Sequence, residues 1–206
     1  MKRTSLSPPR ITALVVAAVG SALATLPMLP ASAVPQGTPW EEQGDAGSVP
    51  ISAQVVRGIG PVSSIEGRMQ PQDEDVYRIC ITGGKSFSAT TVDGADFDTQ
   101  LFLFDRRGRG LFANDDSVGT LQSTLPAGDP LTPQAGGKHY LAISSFNNDP
   151  VSTRGLIFPS DPFGDLVGPT GPGGQLPVSD WTNDGFGSGD YSVELTGARS
   201  CGGPTG

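Results

Sequence analysis

The chain has 206 residues, of which 29 are Gly and 19 Pro; 36% are hydrophobic and 17% charged, and the net charge is −8. So many breakers exclude long helices as the main material, and the hydrophobic share excludes a highly charged disordered chain. A single His and two Cys exclude most metal centres built on several His or Cys ligands. What remains is a loop-rich, predominantly β protein.

Lys2, Arg3 and Arg10 precede an apolar run from Ile11 to Leu26 and the small residues Ala31-Ser32-Ala33. That order is the one of a secretory signal, with cleavage expected after Ala33. The alternative is a retained membrane anchor, for which the apolar run is short. No Cys follows Ala33 to accept a lipid, and no second apolar run of spanning length occurs. The expected product is therefore secreted or periplasmic, with no membrane partner. Without residues 1–33 the chain carries 10 Lys+Arg against 21 Asp+Glu, a net charge of −11. Such a balance repels phosphate backbones, so no nucleic-acid partner is expected. The excess acids serve solubility or offer hard oxygen ligands to a divalent cation such as calcium.

Residues 34–50 are rich in Pro, Gly and acids, with Trp40 as the only large anchor, and read as an extended acidic lead-in. Alternation begins near residue 51. Ile51–Val56 and Val62–Met69 read as short strands separated by Gly58-Ile59-Gly60-Pro61. After the polar turn Gln70–Glu74, the run Asp75–Thr82 places Tyr77, Ile79 and Ile81 on one face of a half-buried strand that ends at Gly83-Gly84. Lys85–Val92 repeats the pattern with Phe87 and Ala89, which predicts a hairpin.

A second hairpin is predicted from Asp98–Asp105, the turn Arg106–Arg109, and Gly110–Asp116. With Phe104 opposite Gly110, antiparallel register sets Phe102 against Phe112, Gln100 against Asn114 and Asp98 against Asp116. Facing carboxylates cost stability unless water, a proton or a cation separates them. The last strands are Lys138–Phe146, with Leu141 and Ile143 opposite in sense to Tyr140 and Ala142, and Gly189–Ala198, with Tyr191, Val193 and Leu195 on one face. Between them, Pro and Gly make up 14 of the 42 residues of the loop 147–188, an unusual length for a loop in a compact domain. Its aromatics either staple it to the core, or Trp181 with Phe163 or Phe186 forms a ligand platform. Cys80 and Cys201 read as one bridge enclosing 120 residues, the alternative being two free thiols.

Five marks recur in order: Asp75-x-Tyr77-x-Ile79, Leu101-Phe102-Leu103-Phe104-Asp105 with Gly108 or Gly110 behind it, Asn114-Asp115-Asp116, Gly137-x-x-Tyr140-x-x-x-Ser144, and Gly189-x-Tyr191-x-Val193-x-Leu195. Together, over about residues 41–198, they resemble the bacterial pre-peptidase C-terminal domain, a jelly-roll β-sandwich found beside secreted proteases and collagenases. The resemblance implies a non-catalytic domain that assists secretion, substrate docking or stability. As in collagen-binding members, it also implies calcium on lead-in acids and strand-entry acids, here Glu42, Asp45, Asp73 and Asp75.

The hairpin argument yields a second acidic set, Asp96, Asp98, Asp115 and Asp116. Asp93-Gly94-Ala95-Asp96-Phe97-Asp98 lacks the central Gly and closing Glu of an EF-hand, and Asn114-Asp115-Asp116 is equally suited to turn chemistry. His139, the only histidine, would have to serve any Ser-His-Asp mechanism; Gly-x-Ser-x-Gly, P-loop and His-Glu-x-x-His stretches are absent from the sequence. The resulting expectation is an all-β, jelly-roll-like antiparallel β-sandwich over residues 51–201, with a flexible tail at 202–206. It would act outside the cytoplasm as a non-enzymatic binding or accessory module, with calcium as its cofactor and an extracellular protein or polysaccharide as partner. The alternatives are a small secreted hydrolase using carboxylates and a structural component of an extracellular layer. The sequence leaves the oligomeric state open.

Overall fold

The computed structural model describes residues 37–203. The expected signal segment 1–33 and residues 204–206 of the expected tail lie outside the described residues. Strands and turns make up the described residues, with no helix among them. In chain order the strands are β1 (Thr38–Glu41), β2 (Gln54–Val55), β3 (Val62–Met69), β4 (Glu74–Ile81), β5 (Ser88–Thr90), β6 (Thr99–Phe104) and β7 (Gly110–Asn114). They continue with β8 (Thr124–Leu125), β9 (Gly137–Ser145), β10 (Pro150–Ser152), β11 (Gly155–Leu156), β12 (Asp180–Trp181), β13 (Gly189–Thr196) and β14 (Ala198–Arg199).

One sheet has the order β1-β3-β13-β5-β8, and a second the order β14-β4-β9-β6-β7, with β2 also on β4. Most pairs are antiparallel; β1 on β3 and β2 on β4 are parallel. This is an all-β, sandwich-like fold, and its packing follows from strand alternation. Tyr77, Ile79, Ile81, Leu101, Leu103, Leu141 and Ile143 of the second sheet face Ile65, Met69, Ala89, Val193 and Leu195 of the first, in one buried core. The opposite face of the second sheet carries Val76, Phe102, Phe104, Tyr140 and Ala142, and it is buried too. Ile157, Phe158, Val178 and Trp181 cover it. The segment 147–188 is thus no bare loop, since β11-β10-β12 form a small sheet of their own within it.

That cover corrects the expectation of a half-buried strand at Asp75–Thr82. Val76 and Tyr77 point to opposite faces and both are 0% exposed. Three further expectations change. The lead-in is a strand in part, because β1 pairs with β3 and Trp40 packs edge-on against Tyr77 at 5.7 Å. Ile51–Val56 shrinks to β2, and Ile51 is almost fully exposed beside a turn that Ser52 closes on Val49. Gly83-Gly84 does not return the chain as a hairpin. Both have φ in the left-handed region, and a Cβ at Gly83 would meet the backbone of Gly136. The chain therefore crosses to the other sheet, where β5 pairs with β13 and β8.

The predicted pairing of Phe104 with Gly110 is present, but Leu103 lies opposite Phe112 and Phe102 opposite Ala113. One extra residue, Leu111, makes a bulge there. Its effect is to send the bulky Phe112 into the core between the sheets and the small Ala113 to the covered face. Gln100 is consequently not opposite Asn114, whose partner is Leu101.

Cys80, on β4, is bonded to Cys201 just beyond β14, across a sequence separation of 121. The bridge fixes the C-terminal segment to the middle of the chain, where β14 contributes only two paired residues. Replacing both cysteines by Ser is expected to lower stability by about 2–5 kcal/mol in urea unfolding, with a larger m-value because the unbridged denatured chain exposes more surface.

Candidate functional site

Two carboxylate clusters stand out. In the first, Glu42 and Asp45 follow β1 and Asp75 lies in β4; each offers an oxygen within 4.8 Å of the others. Glu42 is oriented by backbone donors, its Oε1 accepting from the Ala46 N–H at 2.7 Å and its Oε2 from the Arg68 N–H at 3.1 Å. Asp75 is 0% exposed. Its Oδ2 accepts from the Tyr191 hydroxyl at 2.6 Å, and that hydroxyl also touches the Tyr77 hydroxyl. Its Oδ1 is buried and has no hydrogen-bond partner. Burial pushes the Asp75 carboxyl up to about 8; the Tyr191 hydrogen bond opposes this, and the charges of Glu42 and Asp73 add to it. A Cβ at Gly67 would collide with both the Tyr191 hydroxyl and the Glu42 carboxylate, so glycine is what lets β3 pass this group.

Asp73, the fourth expected member, is close enough to raise the Asp75 carboxyl but is turned to another task. Its Oδ2 accepts from the Gln70 N–H at 3.2 Å and its Oδ1 from the Glu74 N–H at 3.0 Å, closing the turn into β4. Its own carboxyl is raised, first by burial and then by the charge of Asp45, against the Gln70 hydrogen bond.

In the second cluster Asp98, just before β6, meets Asp115 and Asp116, just after β7, again with oxygens within 4.8 Å. The bulge shifts the ladder, yet the acids still converge because they sit beyond its end rather than inside it. Each of the three has a buried Oδ1 without a hydrogen-bond partner. Burial, and then the charge of Asp116, push Asp98 up to about 6 and Asp115 up to about 8. A cavity of about 20 Å³ adjoins Asp115, walled in part by Asp149, Phe158 and Ser160. That is space for one water-sized occupant and too little for a saccharide. Asp96, included in the expected set, is exposed and stands outside this group.

Among the described residues no Lys or Arg forms an ion pair with either cluster. The one ion pair among the described residues is Arg68–Asp190 at 2.6 Å, largely exposed and involving none of these carboxylates. Buried like charges without a counter-charge are costly, and oxygen-only clusters of this kind match the ligand chemistry of calcium. Sequence reasoning missed Tyr77 and Tyr191 as partners of Asp75. The signal was present in the alternation, which puts both on inward faces, but their hydroxyl contact depends on how the two sheets face each other.

Trp181 corrects the ligand-platform expectation. It is 4% exposed, its Nε1 donates to the Ser48 carbonyl at 2.6 Å, and its ring meets Phe102 edge-on at 5.5 Å. It closes the covered face and presents no free surface. Phe163 and Phe186 remain 42% and 68% exposed and both adjoin Phe146, one by a ring contact at 5.5 Å and the other through its backbone N–H. His139 lies in β9 with Nδ1 at 3.0 Å from the Gly137 carbonyl, and burial lowers its pKa.

No protein-family model matches the chain, and no curated protein matches it.

Two outcomes follow from these placements. Trp181→Ala should cost about 3–5 kcal/mol in denaturant unfolding, because it removes the lid of a buried face, whereas Phe186→Ala should change stability by under about 0.5 kcal/mol. For pH, the carboxyls of Asp75 and Asp115 sit near 8 in the fold and near 4 in the unfolded chain. The fold then binds more protons than the unfolded chain between these values, so stability falls as pH rises through that window. In the presence of chelator the melting temperature should be higher at pH 5 than at pH 8, and Asp115→Asn should flatten part of the slope.

Proposed function

We propose that the protein is an exported, non-catalytic β-sandwich that binds calcium and serves as a binding or accessory module for an extracellular protein or polysaccharide. One observation carries this reading. Asp75 is wholly buried, its Oδ1 has no partner, and the oxygens around it belong to Glu42 and Asp45 rather than to any cation. A divalent ion among these three would satisfy the orphan oxygen and offset the burial, and the lesser repulsion, that now raise the Asp75 carboxyl. The Asp98–Asp115–Asp116 group, with three orphan oxygens and an ion-sized cavity against Asp115, offers the same chemistry at a second place.

The likeness to pre-peptidase C-terminal domains supports an accessory role. There too, lead-in acids and strand-entry acids are what the likeness assigns to calcium. Of the exposed aromatics, Phe163 and Phe186 are the side chains best suited to dock on a partly apolar partner.

Thermal unfolding of the exported form at pH 8, with millimolar calcium or with chelator, tests the reading. A ligand at a hundred times its dissociation constant adds about 2.7 kcal/mol, a shift of several degrees. Asp75→Asn should remove the first site's share of the calcium response and raise the melting temperature in chelator, because it deletes an uncompensated buried charge. Asp98→Asn with Asp116→Asn should do the same for the second site. Equal melting temperatures in calcium and chelator would overturn the calcium reading.

A further inference from the structure

β3 and β13 pair only as far as Ser64 and Glu194, although β3 starts at Val62 and β13 continues to Thr196. Over those last residues β13 follows β5 on its other side, so the sheet opens between Val62–Ser63 and Leu195–Thr196. The opening belongs to a groove of about 910 Å³. It lies at the opposite end of β3 from the Glu42 cluster, roughly 20 Å along the strand.

The groove is lined in large part by apolar groups. Ile59, 85% exposed, the exposed Pro61 and the Cys80–Cys201 bridge line it, together with the 4–7% exposed edges of the core residues Val62, Leu195 and Ala198. Two of its wall hydroxyls are already engaged, Thr196 with the Ser88 hydroxyl and Ser200 with the Gly60 carbonyl. Its charge runs against that of the chain. Among the described residues no Asp or Glu lines it, Arg199 does, and Arg57 bridges to the lining residue Gly202. Neither arginine is in an ion pair with any described residue. An apolar recess of this size with an unpaired arginine in its lining is suited to a small molecule, and a guanidinium is matched in shape by a carboxylate.

We propose that this groove binds an amphiphilic carboxylate, with its acyl chain on Ile59, Pro61 and the Cys80–Cys201 disulfide and its carboxylate on the Arg199 guanidinium. The attraction is local, since the chain as a whole repels anions, and so the tail supplies most of the affinity and the arginine the selectivity. This site is independent of the calcium reading.

Calorimetric titration of the exported protein with dodecanoate, kept below its micelle-forming concentration, tests the proposal. Saturable binding of one molecule per chain is expected, with dodecanol weaker by at least about tenfold and acetate not bound. Arg199→Glu, an exposed change that leaves the core intact, should weaken dodecanoate by at least about tenfold and leave dodecanol unaffected. Ser63→Trp, which fills the opening from the wall, should abolish binding of both. Absence of saturable dodecanoate binding, or equal binding by the Arg199→Glu variant, would overturn the proposal. So would binding of an apolar peptide with a free C-terminal carboxylate where dodecanoate fails, which would assign the groove to a peptide instead.

Discussion

The rest of the structure depends on the burial of one sheet on both faces. The sheet of β4, β9, β6 and β7 is packed on one side against the facing sheet and on the other against the segment that ends in Trp181. A sheet covered on both sides leaves its strand ends as the only places where polar side chains can accumulate. Asp75 is the second residue of β4, Asp98 precedes β6, and Asp115 and Asp116 follow β7. The acids sit at the rims on both faces: Asp75 on the inner face against Tyr191 of the facing sheet, and Asp98, Asp115 and Asp116 beyond the ends of the strands that carry Phe102 and Ala113. Trp181 anchors that cover by a polar contact to Ser48 as well as by its ring, so the lead-in, the long segment and the core are tied at one point.

The rims are where this fold is least favourable on its own. Packing gains do not reach the carboxylates, whose unpartnered oxygens keep their full desolvation cost. Two local devices soften the cost at the first cluster, namely the Tyr191 hydroxyl on Asp75 and the backbone N–H groups on Glu42. The second cluster has no equivalent donors on its three orphan oxygens. Asn114 beside it is spent on backbone groups, donating to the carbonyls of Asp116 and Asp165 and accepting from the Thr124 N–H. A proton can neutralise such a group only at the expense of its ligand character. Protonation and cation binding are thus competing solutions to one electrostatic problem, and pH selects between them.

Much of this was legible in residue order, for reasons that differ from element to element. The alternation of Tyr77, Ile79 and Ile81, and of Leu141 and Ile143 against Tyr140 and Ala142, assigned faces correctly because a period of two survives any change of partner. Partner choice was not legible in the same way. Gly83-Gly84 looks like a hairpin turn and instead carries the chain between sheets, since glycine specifies backbone freedom and not direction. The bulge at Leu111 was hidden because nothing local distinguishes an inserted residue from a paired one; the demand comes from the core, which needs Phe112 on the inner side. Trp181 was ambiguous for a related reason, as a lone aromatic in a Gly- and Pro-rich stretch reads alike whether it covers a face or offers one.

The acidic clusters show why proximity can be foreseen when register cannot. Asp98 and Asp115–Asp116 flank the two ends of one hairpin, so a one-residue slip moves them past one another by about 3.3 Å without separating them. Glu42 and Asp45 reach Asp75 by a different route, through β1 lying parallel on β3 and through Gly67 leaving room for the Glu42 carboxylate and the Tyr191 hydroxyl. That second convergence needs three strands from both sheets to be in place at once. A site assembled in this way reports on the whole sandwich: whatever occupies it bears on the attachment of the lead-in as much as on the charge of Asp75, because the same carboxylate of Glu42 that faces the cluster also holds the backbone of Ala46 and Arg68.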